Sequence, residues 1–170
     1  MAKTFSALKK RLRELDGYSI KAGVLENATY HDSGMSVAKV ARMQEYGTST
    51  IPPRPFLRNT MDEKGRDWLR QLAKGVALHL RDDLALEHVK TLVGGQMASD
   101  IKETIKAGVQ PPISEVTKMM RYMTKTQDKP RSGATYIDAV RKVKAGERPG
   151  PVDDTPLYDT HVLYNAIDYE

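Results

Sequence analysis

Apolar positions recur every three or four residues along most of this chain, so its pattern is mainly helical. Phe5, Leu8, Leu12 and Leu15 form one stripe, with Lys9, Lys10, Arg11 and Arg13 largely off it, which predicts an amphipathic helix over 4–15. Asp16-Gly17 ends it, Gly being the usual residue just past a helix terminus. From Tyr18 to Leu25 the period drops to two: Tyr18, Ile20, Ala22 and Val24 share one face, which predicts a half-buried strand. Residues 27–34 form a polar loop. Ser36 can cap a helix running to Tyr46, with Gly47 closing it. The run Ile51-Pro52-Pro53-Arg54-Pro55 excludes regular structure, because proline lacks an N–H and holds the preceding residue extended.

A long helical region begins near Phe56. Trp68, Leu72, Val76 and Leu80 recur every four residues, with Leu69 and Ala73 beside them, predicting one buried stripe. The pattern continues less cleanly through Leu84, His88 and Val89 to Val93, and Gly94-Gly95 predicts a break or kink. Met97, Ile101 and Ile105 extend another set of turns before Gly108 and Pro111-Pro112. Ser114 opens a further helix carrying Val116, Met119, Met120 and Met123, and Ala134–Lys144 reads as a short helix. Val162 to Tyr169 alternates and predicts a closing strand. Helices gathered between strands near both ends predict an α+β fold, with a small antiparallel sheet packed against several helices, one of them long and central. Residues 1–83 and 131–170 are expected to form the α+β core together, and 84–130 a helical insertion or elaboration.

Composition narrows this picture. A hydrophobic fraction of 39 % with 29 % charged residues is polar but, given the helical periodicity, outside the disordered class. Only 6 % of residues are aromatic, so the core rests on Leu, Val, Ile, Ala and Met, and subunit contacts can supply part of the burial. The absence of Cys excludes disulfides, thiolate nucleophiles and Cys-based zinc sites. The charged N-terminus has no apolar run behind it, and no stretch approaches the roughly 18 apolar residues of a membrane span. The expectation is a soluble protein.

The net charge of +5 is unevenly spread. Residues 118–148 carry nine basic and three acidic side chains, whereas 149–170 carry five acidic side chains and no Lys or Arg. Such segments read either as solvated surface or as a basic patch on one subunit meeting an acidic one on its neighbour, fixing register.

No constellation of residues supports a reaction. His31, His79, His88 and His161 have no metal-binding spacing, and the His31-Asp32 pair lies in a polar loop. His79 and His88 read as residues of a helix surface or boundary. Gly94-Gly95 lacks the spacing of a phosphate-binding loop, and no Ser stands in a nucleophile elbow. The paired acids Asp62-Glu63 and Asp82-Asp83 diverge by about 100° on a helix and read as solvated faces. The chain is expected not to be an enzyme and to use no cofactor.

Two segments differ from generic surface. One runs Val37-Ala38-Lys39-Val40-Ala41-Arg42-Met43-Gln44-Glu45-Tyr46-Gly47-Thr48, then Ile51-Pro52-Pro53-Arg54-Pro55-Phe56-Leu57-Arg58. It resembles the signature of tailed-bacteriophage neck or minor tail-component proteins, also called tail-completion or virion-morphogenesis proteins. The other, Thr155-Pro156-Leu157-Tyr158-Asp159-Thr160-His161-Val162-Leu163-Tyr164-Asn165-Ala166-Ile167, looks like that family's closing segment. The match departs at His161, where the family has Gly, and at Ala166, where it often has Ser. A left-handed backbone costs His more than Gly, so a different turn is expected at 161.

The resemblance implies a structural virion protein, made in the host bacterial cytoplasm, that joins head and tail as a ring subunit around the DNA channel. Its implied partners are copies of itself, as a hexamer, and head-closure or connector, tail-terminator or tail-tube proteins. Phage DNA passes through the lumen without sequence-specific binding, and no membrane is involved. The expected subunit interface comprises Glu45, Arg54, Pro55, Phe56, Leu57, Arg58 and Asp159. A Pro-Arg-Pro segment is stiff and loses little entropy on docking. Arg54 and Arg58 can make bidentate contacts to carboxylates across the boundary, with Phe56 and Leu57 anchored in an apolar pocket. Phe56 and Leu57 can also simply begin the core face of the long helix. The alternative function is a small basic nucleic-acid-binding regulator, acting through Lys9, Lys10 and Arg11.

Overall fold

A computed structural model describes residues 2–25, 28–31, 33–81 and 83–170. Its described elements are α1 (Ala2–Glu14), β1 (Ala22–Val24), α2 (Val37–Tyr46), α3 (Phe56–Arg81), α4 (Leu86–Ala107), α5 (Glu115–Thr126), α6 (Gly133–Lys144), α7 (Val162–Asn165) and β2 (Ile167–Tyr169). The fold is mostly helical. A two-stranded antiparallel sheet joins the chain ends, pairing Ala22 with Tyr169 and Val24 with Ile167. Asp32 and Asp82, each half of an acidic or His–Asp pair singled out in the sequence, lie outside the described residues. No helix among the described residues is long and apolar enough to cross a membrane.

The long helix α3 packs antiparallel on α4. Polar rungs cross the seam: Trp68 Nε1 donates to Asp100 Oδ2 at 2.6 Å, and Thr60 Oγ1 donates to Thr104 Oγ1 at 2.7 Å. Farther along, Gly75 lets α4 approach closely, since a Cβ there would lie 2.6 Å from Val89 Cγ1. The main core gathers Val37 and Ala41 of α2, Phe56 of α3, Ile101 and Ile105 of α4, and Leu163 and Ile167. A second cluster joins Met119 and Met123 of α5 to Ala139 of α6. Ser114 and Ser132 cap these last two helices by accepting from the N–H of Thr117 and Thr135.

Several expectations are corrected. Gly94-Gly95 does not interrupt α4. Gly94 instead supplies room for Tyr169 of β2, whose Cδ2 would stand 2.4 Å from an added Cβ. The closing strand is shorter than its alternation suggested, because Val162–Asn165 coils into one helical turn before Ile167. The first strand shrinks likewise to three residues. On α3 the buried face runs through Phe56, Thr60, Trp68, Gly75 and His79, and Leu69 points outward. His79 is buried, its Nδ1 at 3.1 Å from the Leu84 carbonyl and its Nε2 at 3.2 Å from Glu14. Packing also crosses the boundary expected at residue 84: Ala98, Ile101, Ile105 and Val109 share one core with Val37 and Phe56.

The N-terminal helix α1 is held at the α3–α4 turn by Arg11, which donates to the Leu80 carbonyl, and by Glu14. Its apolar stripe faces outward: Phe5, Leu8 and Leu12 are exposed.

Two neighbouring glycines separate close packing from helix propensity. Gly94→Ala is expected to cost about 2 kcal/mol, or roughly 6 °C in Tm, because the base of the Tyr169 side chain must move. Gly95→Ala, whose Cβ would stand 3.8 Å from the nearest ring atom, is expected to raise stability by about 0.5 kcal/mol. Calorimetry of the two variants checks both signs.

Candidate functional site

The segment from Gln44 to Arg58 turns back on itself. Gly47 adopts φ +75°, and a Cβ there would stand 2.8 Å from the Ile51 carbonyl oxygen, so this turn requires glycine. Thr48 organises the tip: its Oγ1 accepts from the N–H groups of Thr50 and Ile51 at 3.2 and 3.0 Å. The Arg54 N–H then donates to the Gln44 carbonyl, returning the chain to the end of α2.

The first N–H groups of a helix have no partner within the helix, and its N-terminus attracts negative charge. Glu45 answers both needs for α3. Its buried carboxylate accepts from the N–H of Leu57 at 2.9 Å, from the N–H of Arg58 at 3.1 Å and from Arg58 Nε at 2.9 Å. Arg58 Nη2 also donates to the Glu45 carbonyl, and the guanidinium lies 5.0 Å from the centre of the exposed Tyr46 ring.

Arg54 is 7 % exposed. Its Nε donates to the Pro111 carbonyl at 2.8 Å, Nη2 to the Pro112 carbonyl at 3.0 Å and Nη1 to Gln44 Oε1 at 3.2 Å. Burial lowers its pKa, and the nearby charge of Arg121 lowers it further.

Asp159 is the anionic counterpart on the closing segment. It pairs with Arg121 at 3.2 Å, with Lys125 at 3.7 Å and with Arg131. Arg121 Nη1 also donates to the carbonyls of Asp153 and Thr155, which lays residues 153–159 along α5. Burial lowers the Arg121 pKa, opposed by Asp159 and Asp153. The basic and acidic segments therefore meet within one chain. His161 adopts a left-handed backbone, at φ 58°, and Tyr158 packs edge-on against its ring.

Between these pieces lies a cleft of about 690 Å³. Val40, Ile51, Ile113, Met120, Leu157 and Leu163 line its apolar part. Arg54, Arg121, Arg131 and Asp159 line its charged part. No group of three His, Asp or Glu side chains among the described residues could hold a metal ion.

Of the seven expected interface residues, Glu45, Arg54 and Phe56 are buried, Pro55, Leu57 and Asp159 are half-buried and Arg58 is exposed; Arg54 and Asp159 line the same cleft. Phe56 is fully buried in the main core, and Leu57 packs beside it. Arg54 is buried, with three of its N–H groups bonded to Pro111, Pro112 and Gln44 of its own chain. Arg58 pairs with Glu45 of the same chain, although its side chain stays half exposed. Sequence reasoning missed Gln44, Arg121, Arg131 and the Pro111–Pro112 carbonyls. The only signal for the two arginines was the charge contrast between residues 118–148 and 149–170. Comparison with family models, curated proteins and solved structures finds no match for this chain.

Glu45→Ala is expected to destabilise the chain by about 3 kcal/mol, because two helix N–H groups and a guanidinium lose their acceptor. Arg58→Ala is expected to cost only about 1 kcal/mol, since Glu45 keeps both backbone bonds. Urea denaturation of the two variants measures the difference.

Proposed function

We propose that this chain is a structural subunit of a tailed-phage virion that joins head to tail, as a neck or tail-completion ring component around the DNA channel. One observation carries the reading. The two segments that resemble the phage family, 37–58 and 155–167, are separated by residues 59–154, yet both line the same cleft. Gln44, Ile51 and Arg54 enter it from one segment, and Leu157, Asp159 and Leu163 from the other. Convergence of both signatures on one concave, partly charged surface supports a docking role there rather than two unrelated local motifs.

In this reading the arm works from inside the chain. The proline–arginine arm is an internal brace that shapes the cleft, and the cleft receives the neighbouring subunit or the adjoining connector or tail protein. Exposed residues of the tip, Thr50 and Pro52, form its rim. In this reading the brace supplies preorganisation, so association costs little ordering of the joint itself.

Electron microscopy of phage lacking this protein tests the role: separate heads and tails are expected, joined again when purified protein is added. Complete particles without it would contradict the reading. A rim variant probes the cleft. Thr50→Trp sits at an exposed position and is expected to shift Tm by no more than about 2 °C while reducing joining roughly tenfold. Full joining activity in that variant would remove the cleft from the interface.

A further inference from the structure

Among the described residues that line the cleft, the three guanidinium groups of Arg54, Arg121 and Arg131 stand with one carboxylate, Asp159, while Asp153 acts on Arg121 from outside the lining. Asp159 is shared among Arg121, Lys125 and Arg131. Arg54, buried beside them, makes its three hydrogen bonds to neutral oxygens alone. Hydrogen bonds to neutral carbonyls satisfy donors but leave the positive charge uncompensated, and a buried charge without a counter-ion is costly. Loss of water and, after it, repulsion from Arg121 both act against the charge and lower the Arg54 pKa. These arginines line a cavity rather than packed protein, and Ile51, Met120 and Leu157 line it with them.

We propose that the cleft binds an extended, acidic segment of another protein, a carboxylate seated among Arg54, Arg121 and Arg131, with apolar side chains against Ile51, Met120 and Leu157. The inference rests on the reading of the cleft as a docking joint and names what docks. Carboxylate fits better than a nucleic-acid backbone because Ile, Met, Leu and Pro side chains share the lining with the arginines, and Tyr30 is the one aromatic residue among the lining residues, short of the run of rings on which successive bases stack. Asp159 acts as an internal occupant that holds the cations in place and competes for them until the partner's acid arrives. Charge-assisted pairs with planar guanidinium groups give such a joint its geometric selectivity.

The probe is a fluorescent, terminally blocked octapeptide with a Leu-Glu-Glu-Leu centre, titrated with the full chain and followed by anisotropy. Saturable binding is expected, about tenfold weaker for the same peptide carrying Gln in place of both Glu residues. Arg131→Ala, at an exposed position, is expected to weaken binding several-fold. Asp159→Asn releases three cations and is expected to strengthen it several-fold. Should that variant fail to fold, the Arg131→Ala and Gln-peptide arms still decide the matter. The proposal is overturned if the Glu peptide does not bind, if the Gln peptide binds equally well, or if a thymidine octanucleotide displaces it. Absence of peptide binding beside unjoined heads and tails in the deleted phage would remove this inference and leave the joining role standing. Peptide binding beside normal particles would do the reverse.

Discussion

The carboxylate of Glu45 lies at the end of one helix and at the beginning of another, and the surrounding geometry depends on that placement. It accepts two backbone N–H bonds from the first turn of α3 and one from Arg58, all within about 3 Å. An anion so placed meets unpaired amides and the positive end of the helix dipole together. Because Glu45 is rigidly carried by α2, the entry of α3 is fixed relative to α2. The intervening residues must then fold back in a short space, which is why Gly47 is needed where it stands. Arg54 leaves that turn aimed at Pro111 and Pro112, and the floor of the cleft follows.

A second constraint fixes the other side. The helices α3 and α4 approach closely at Gly75, and β2 lies against α4 at Gly94, so the C-terminal strand is pinned to the same helix that carries Ile101 and Ile105. This brings the closing segment back across the molecule, where Arg121 takes the carbonyls of Asp153 and Thr155 and the carboxylate of Asp159. Two distant stretches of sequence thereby reach one surface through separate, rigid routes. A preformed surface of this kind suits a joint that must hold a defined orientation between proteins, since little is left to be ordered on contact.

Much of the helical framework was legible because its periodicity is long and regular. The spans of α2, α5 and α6 and the start of α3 follow from apolar spacing and Ser or proline boundaries, and the antiparallel pairing of the chain ends follows from two short alternating runs; the end of α3 at Arg81 does not, because the helical pattern runs on to Val93 without a stop signal. What was not legible depended on partners distant in sequence. Gly94-Gly95 carries the local signature of a break, and only the approach of Tyr169 shows it to be a packing contact. Arg54 carries the local signature of an exposed recognition residue, and only the carbonyls of Pro111 and Pro112 show that its donors turn inward. The contrast between a basic stretch and an acidic end was visible as charge, but charge does not say whether the two meet within one chain or between two. The apolar stripe of α1 was also plain in the sequence; its exposure in the single chain was not.

The central claim is that the arginine arm stays within its own chain and builds a cleft that a neighbour enters. A density map of the joined head–tail particle, sharp enough to place side chains, tests this most directly. The account requires Arg54 bonded to the Pro111 and Pro112 carbonyls of its own chain, with an acidic segment of another polypeptide lying in the cleft. An Arg54 swung outward onto a carboxylate of the neighbouring subunit, with the cleft empty, would contradict it.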